Sequence, residues 1–90
     1  MTIHDLKTGP EMFEAVQAET KTVEIRKDDR GFKVGDLLNL CEWSQDSGEY
    51  SGRSCLRCVT HLVSGGQFGL EPGHVAMSLS STWRGQNPDS

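Results

Sequence analysis

Long apolar runs are missing from this 90-residue chain. None approaches the ~18 residues that a membrane-spanning helix needs, and the N-terminus, with Asp5 and no apolar stretch, does not read as a signal peptide. Basic residues are in the minority, nine Lys and Arg against thirteen Asp and Glu, for a net charge of -4 and a pI near 5.2. That balance excludes a protein that coats nucleic acid over its whole surface, which needs clustered cations, and leaves room for one local contact face. Three cysteines, Cys41, Cys55 and Cys58, are odd in number and do not make a closed disulfide framework, so they are expected to be reduced and half-buried. Aromatic residues are only 7% of the chain, which limits base stacking to Phe32, Trp43, Tyr50 and Phe68.

Several chemistries lose their support in the same way. The glycines between Gly65 and Gly73 are not followed by the Gly-Lys-Ser/Thr ending of a P-loop, so that stretch reads as a connection, with Phe68 and Leu70 tucked back onto the core. His4, His61 and His74 are far apart in sequence, and no serine or cysteine stands in a nucleophile elbow, so a catalytic triad is not indicated. Cys55-x-x-Cys58-x-x-His61 has the look of half a zinc site. On a strand, however, residues three apart face opposite ways, and no second pair follows. The cysteines read as small strand hydrophobes, and neither a metal nor a cofactor is expected.

What the chain does have is a concentration of charge. Five of its nine basic residues fall between Lys21 and Lys33, a span that counts +2 while the remainder counts -6. Around that island the elements read as follows. Thr8-Gly9-Pro10-Glu11 is a helix start, with Thr8 as cap, and Met12, Phe13 and Val16 make one apolar face of a helix from Pro10 to Ala18. A strand from Lys21 to Arg26 puts Val23 and Ile25 on one face and Thr22, Glu24 and Arg26 on the other. Asp28 to Gly31 and Val34 to Asp36 read as turns, then come strands Leu37 to Trp43, Tyr50 to Val63 with a bend near Gly52, and His74 to Leu79. Gln45 to Glu49 is the hairpin between the first two of these. Residues 1–80 read as one domain, and the polar, aperiodic run 81–90 as a disordered tail. The fold class is α+β: a small, partly closed antiparallel β-barrel of four to six strands with one N-terminal helix.

Glu24 and Arg26 project from the same strand face. As an exposed pair they contribute ~0 to 1 kcal/mol and need no function. Inside a barrel mouth the same pair interacts more strongly, about 4 kcal/mol at an effective dielectric near 20. Burial decides between a solvated edge and a site.

Laid out in order, His4-x-Leu6-Lys7, Phe13-x-x-Val16, Lys21-Thr22-x-Glu24-Ile25-Arg26, Asp29-Arg30-x-Phe32-x-Val34-Gly35-Asp36, Gly48-x-Tyr50-x-Gly52-Arg53 and Phe68-Gly69-Leu70-x-x-Gly73 resemble short phage and bacterial proteins of the activating-signal-cointegrator homology (ASCH) superfamily. The resemblance covers residues 3 to 79 and implies a PUA-like barrel. It implies that Lys21, Glu24 and Arg26 line a cleft at the barrel mouth beside the helix, with His4 and Lys7 nearby, and that the ligand is RNA. One branch is a small amidohydrolase acting on acetylated cytidine through a lysine that would match Lys21. Two departures stand out: Glu19 occupies a helix-ending position where the family usually has glycine, and Glu24 stands where the amidohydrolase branch has threonine, without that branch's acid-bearing insertion.

The expected function is therefore binding of single-stranded RNA or a nucleotide, with Lys7, Lys21, Arg26, Lys27, Arg30 and Arg53 on phosphates, Glu24 orienting Arg26, and His4 close by. A hydrolase using Lys21 and Glu24 is the alternative, and capture of a host protein a third. A cytoplasmic monomer is expected.

Overall fold

A computed structural model of the chain describes residues 1–83. The elements run β1 (Ile3–Thr8), α1 (Pro10–Gln17), β2 (Val23–Lys27), β3 (Leu37–Ser44), β4 (Glu49–Ser64) and β5 (His74–Ser80). The five strands form one curled, half-closed sheet in the order β1-β3-β4-β5-β2, so the chain is α+β with a partly closed barrel. The helix, four of the strands and the hairpin between β3 and β4 fall where the sequence puts them. Gly52, at φ 95°, sits in the bulge of β4 between the Cys41 and Trp43 pairings.

The first strand is the element that periodicity does not show. In Ile3–Thr8 the inward residues are His4, Leu6 and Thr8 and the outward ones Ile3, Asp5 and Lys7. The two apolar residues thus lie on opposite faces and no alternation of apolar and polar is visible. β1 pairs in parallel with β3, His4 opposite Leu38 and Leu6 opposite Leu40, so the sheet is mixed rather than wholly antiparallel and its helix follows a strand. Because Thr8 is the last residue of that strand, it does not cap the helix. Gly9 is the N-cap, without a side-chain bond, and Pro10 follows as the first helical residue.

The core is filled from the inner face by Leu6, Leu38, Leu40, Val59, Val75, Met77 and Leu79, with Val16 from the helix and Phe32 from the turn before β3. Phe13 and Val16 are fully buried, whereas Met12 stays more than half exposed at the margin of the helix's apolar face. Arg57 donates to the carbonyl of Val16 at 3.1 Å, which satisfies one of the last acceptors of α1 and holds the helix to β4. Cys41 and Cys55 are half-buried and Cys58 buried, all as free thiols.

One loop differs from expectation. Leu70 N–H donates to Gln67 O at 2.9 Å, with Phe68 and Gly69 both at positive φ (53° and 76°), the backbone of a type I′ turn. Such a tip aims its first side chain outward, and Phe68 is 90% exposed instead of tucked onto the core; only Leu70 is half-buried. The base of this loop needs glycine at Gly65, where a Cβ would stand 2.0 Å from Glu71 O. Of the run 81–90, residues 84–90 lie outside the described residues, while the Ser81 hydroxyl donates to Glu19.

Asp36 does more than end a turn. Its carboxylate accepts from the Thr2 N–H at 3.3 Å, the Lys33 N–H at 3.1 Å and His4 Nε2 at 2.9 Å, tying the start of β1 to the start of β3. Burial works to raise its pKa, but the His4 hydrogen bond, the two backbone N–H groups and the charge of His4 outweigh it, and the net shift is downward. A carboxyl whose folded pKa is depressed contributes stability above its unfolded value, near pH 3.9, and loses it as pH falls through the folded one. Asp36→Asn is accordingly expected to cost roughly 1–3 kcal/mol at pH 7 and far less near pH 3, in urea unfolding at both pH values.

The helix ends in a Schellman motif: Glu19 N–H bonds to Val16 O and Thr20 N–H to Ala15 O, each at 3.0 Å. Glu19 holds the left-handed position at φ 61°, where a Cβ costs about 1 kcal/mol or more. Part of that gain is returned through the greater freedom of glycine in the unfolded chain. Glu19→Gly should raise stability by about 0.5–1 kcal/mol, seen as a higher urea midpoint at unchanged m-value; a lower midpoint would mean that the Ser81 contact outweighs the strain.

Candidate functional site

On β2 the alternation places Val23 and Ile25 on one face and Glu24 and Arg26 on the other, and it is the charged face that turns inward. Ile25 is 57% exposed while Glu24 is only 5% exposed, opposite the fully buried Met77 of β5. The reversal is possible because β2 is an outer strand and its inner face overlies the end of the core. There Glu24 is met by two cations. Lys21 Nζ lies 2.7 Å from Oε1 and Arg26 Nε 2.6 Å from Oε2. The Lys21 ammonium is fixed further by the carbonyl of Val23 at 2.7 Å.

Arg26 also reaches across the opening of the sheet. Its Nη2 donates to Lys7 O on β1 at 2.8 Å, and Arg30 Nη1 donates to Asp5 O at 2.9 Å. β1 and β2 are the outer strands of the sheet and share no ladder among the described residues. Two arginines therefore span the seam by occupying carbonyls on the unpaired edge of β1, which also removes that edge as a template for another strand.

Beside the seam lies an open cleft of about 330 Å3, lined by Lys7, Thr8, Gly9 and Met12 on one side and Lys21, Val23, Glu24, Ile25 and Arg26 on the other. Its volume lies at the lower end of the range for small-ligand sites. Thr8 is 3% exposed, and its hydroxyl has no hydrogen-bond partner, a costly arrangement for a buried polar group. A smaller pocket on the far side of Arg26 is lined by Lys27, Asp29, Arg30, Leu6 and Phe32.

The sequence candidates thus divide. Lys7, Lys21, Glu24 and Arg26 come together in the cleft; Lys27 and Arg30 lie next door, with Arg30 3.9 Å from Asp29. His4 does not line the cleft. It is buried on Asp36 with its ring 4.7 Å from that of Phe32, and since the Asp36 carboxylate is an acceptor, Nε2 is the donor. Arg53 belongs to a separate cluster, bonded to Glu42 at 2.9 and 3.0 Å and to Glu14, with its guanidinium 5.0 Å over the Phe13 ring. The hydrogen bond from Arg53 leads the causes that lower the pKa of Glu42. This cluster joins helix to sheet and leaves Arg53 outnumbered by carboxylates. Thr8, Gly9 and Met12 are cleft residues before β2 that sequence reasoning did not name as site candidates, and Val23 and Ile25 are such residues on β2. In the sequence, Thr8, Gly9 and Met12 read only as parts of a helix start.

Among the described residues, no group of three or more His, Cys, Asp or Glu is placed to hold a metal ion, and no helix is long and apolar enough to cross a membrane.

A small α+β half-barrel, with a half-buried Lys-Glu-Arg cluster beside the seam between its outer strands, defines the class. The chain belongs to the DUF3850 family, a domain of unknown function, whose family model matches residues 3–79. It is 41% identical over 61 residues to the "Uncharacterized 12.9 kDa protein in GpA 3'region" of Escherichia phage P2. The matched segment is 68% of this chain and 54% of the phage protein, so the chain spans about half the length of that relative.

The geometry ranks the roles of the cluster. Glu24 is the shared acceptor of both cations and is buried, whereas Lys21 and Arg26 each keep about a quarter of their side chains exposed. Glu24→Ala is expected to cost roughly 2–3 kcal/mol, the range for charged hydrogen bonds lost from a buried group, and Lys21→Ala under about 1 kcal/mol. Equal losses in chemical denaturation would contradict this ranking.

Proposed function

We propose that the protein binds single-stranded RNA or a nucleotide in the cleft formed by Lys7, Lys21, Glu24 and Arg26. The observation that carries this reading is the inward-turned Glu24, which fixes two cations at the rim of an open cleft. Around that cleft three cations stand against one carboxylate, a balance suited to a phosphate. Glu24 holds two of these cations in fixed positions for it. The resemblance to the ASCH superfamily, with its PUA-like barrels, supports RNA as the ligand. A locally cationic cleft on an acidic protein suits a short ligand better than a long duplex.

A second reading, hydrolysis of an acylated nucleoside or of RNA, draws on Lys21 Nζ at 2.7 Å from Glu24. Such a pair can pass a proton from an attacking water to a leaving group. Both Glu24 oxygens already accept from cations, however, and this favours holding a ligand over moving its protons.

The test is a titration with short RNAs at several salt concentrations. With about four phosphates contacted, log affinity should fall against log salt with a slope near -3. Lys21→Ala combined with Arg26→Ala should flatten that slope by roughly 1–2. An affinity indifferent to salt and to both variants would refute binding at this cleft. Turnover of an acylated nucleoside that disappears in Glu24→Gln, with the fold intact, would establish the second reading instead.

A further inference from the structure

The cleft has a neighbour that its own residues do not explain. On β3, Glu42 faces inward, so Trp43 faces outward, and its register partner on β4 is Tyr50. Paired residues share a face, which puts both residues on the outer surface next to the Ser44–Glu49 turn. Tyr50 is more than half exposed and Trp43 half-buried. Lys7, which lines the cleft, places its ammonium 4.5 Å from the centre of the Trp43 ring. The backbone carbonyl of the same residue is the one held by Arg26. Lys7 therefore links the cleft directly to Trp43.

The other aromatics considered for stacking are disposed differently. Phe32 is buried in the core, and Phe68 stands at the tip of a separate turn, in a patch with Ile25, Val63 and Leu70. Trp43 and Tyr50 combine exposed ring surface with a cation that also belongs to the cleft.

We propose that Trp43 and Tyr50 form a second subsite of the same interface, stacking the base of a nucleotide that follows the one held in the cleft. The proposal rests on the reading of the cleft as a binding site for single-stranded RNA. Charge sets the direction in which the strand lies. Asp46 and Glu49 flank the aromatic pair at the hairpin, so the phosphates run on the side of Lys7 and Arg26 and the bases lie toward β3 and β4. Lys7 leaves the ring when a base arrives and moves to the phosphate between the two nucleotides. This exchange is favourable because a lysine over an exposed ring is held more weakly than a stacked base.

The bland alternative is an aromatic pair that only stabilises its hairpin, and ligand length separates the two. In a Trp83→Phe background, Trp43 is the reporting fluorophore. A nucleoside monophosphate should leave its emission nearly unchanged and a tetranucleotide should quench it. Tyr50→Ser and Trp43→Ala should each weaken the tetranucleotide about tenfold and the monophosphate by less than about twofold. Circular dichroism checks folding, and if Trp43→Ala does not fold, the exposed Tyr50→Ser decides. A tetranucleotide that binds with salt-dependent affinity but without quenching, and equally well to Tyr50→Ser, would overturn the second subsite and leave the cleft reading intact. No binding of either ligand would remove both.

Discussion

Arg26 does two things at once, and the rest of the arrangement depends on its doing both. Through Nε it bonds the buried carboxylate of Glu24, and through Nη2 it holds the carbonyl of Lys7 on the opposite edge of the sheet. Closing the seam between β1 and β2 and building the cleft are therefore a single event. A strand ladder would have closed the barrel more completely, but it would have filled the gap in which the cleft lies. A side-chain bridge holds the edges together and leaves space between them. The bridge depends on Glu24, because a guanidinium at this position is held by the fixed geometry of its hydrogen bonds as well as by charge.

The chain uses the same chemistry a second time with a different outcome. Arg53 is bonded to Glu42 and Glu14, one cation to two carboxylates, on the far side of the helix. In the cleft, Lys7, Lys21 and Arg26 stand against Glu24 alone. Both clusters pin separate elements together, yet only the cleft keeps a surplus of positive charge to offer an anion. The island between Lys21 and Lys33 is thus not one patch: Lys21 and Arg26 belong to the cleft, and Lys27 and Arg30 to the pocket beyond Arg26.

How much of this could be read from residues alone follows from what local patterns encode. Alternation identified the two faces of β2 correctly, because the period of a strand is a property of the backbone. It did not say which face turns in, since that depends on β5 lying alongside and on β2 being the outermost strand. β1 was invisible because Ile3 and Leu6 point to opposite sides, and its parallel pairing with β3 joins segments more than thirty residues apart. Asp36 read as turn chemistry, which it is, but its bond to His4 requires β1 to be in place. His4 and Arg53, grouped with the cleft on resemblance or charge, are drawn elsewhere by carboxylates that only the fold brings near.

Three departures from local rules lie around one place. Glu24 sits inward on a strand whose apolar residues face out, Thr8 buries a hydroxyl without a partner, and Glu19 holds a left-handed conformation suited to glycine. Glu24 and Thr8 line the cleft, and Glu19 stands two residues before Lys21, in the turn that delivers its ammonium to Glu24. Each works against stability when taken alone, and a sequence shaped by folding alone would distribute such departures without regard to one another. Phe68, at φ 53°, and His74 Nδ1, buried without a hydrogen bond, do not line the cleft, so strain and unpaired polarity are not peculiar to it, and what sets it apart is the inward-turned Glu24 with its two cations.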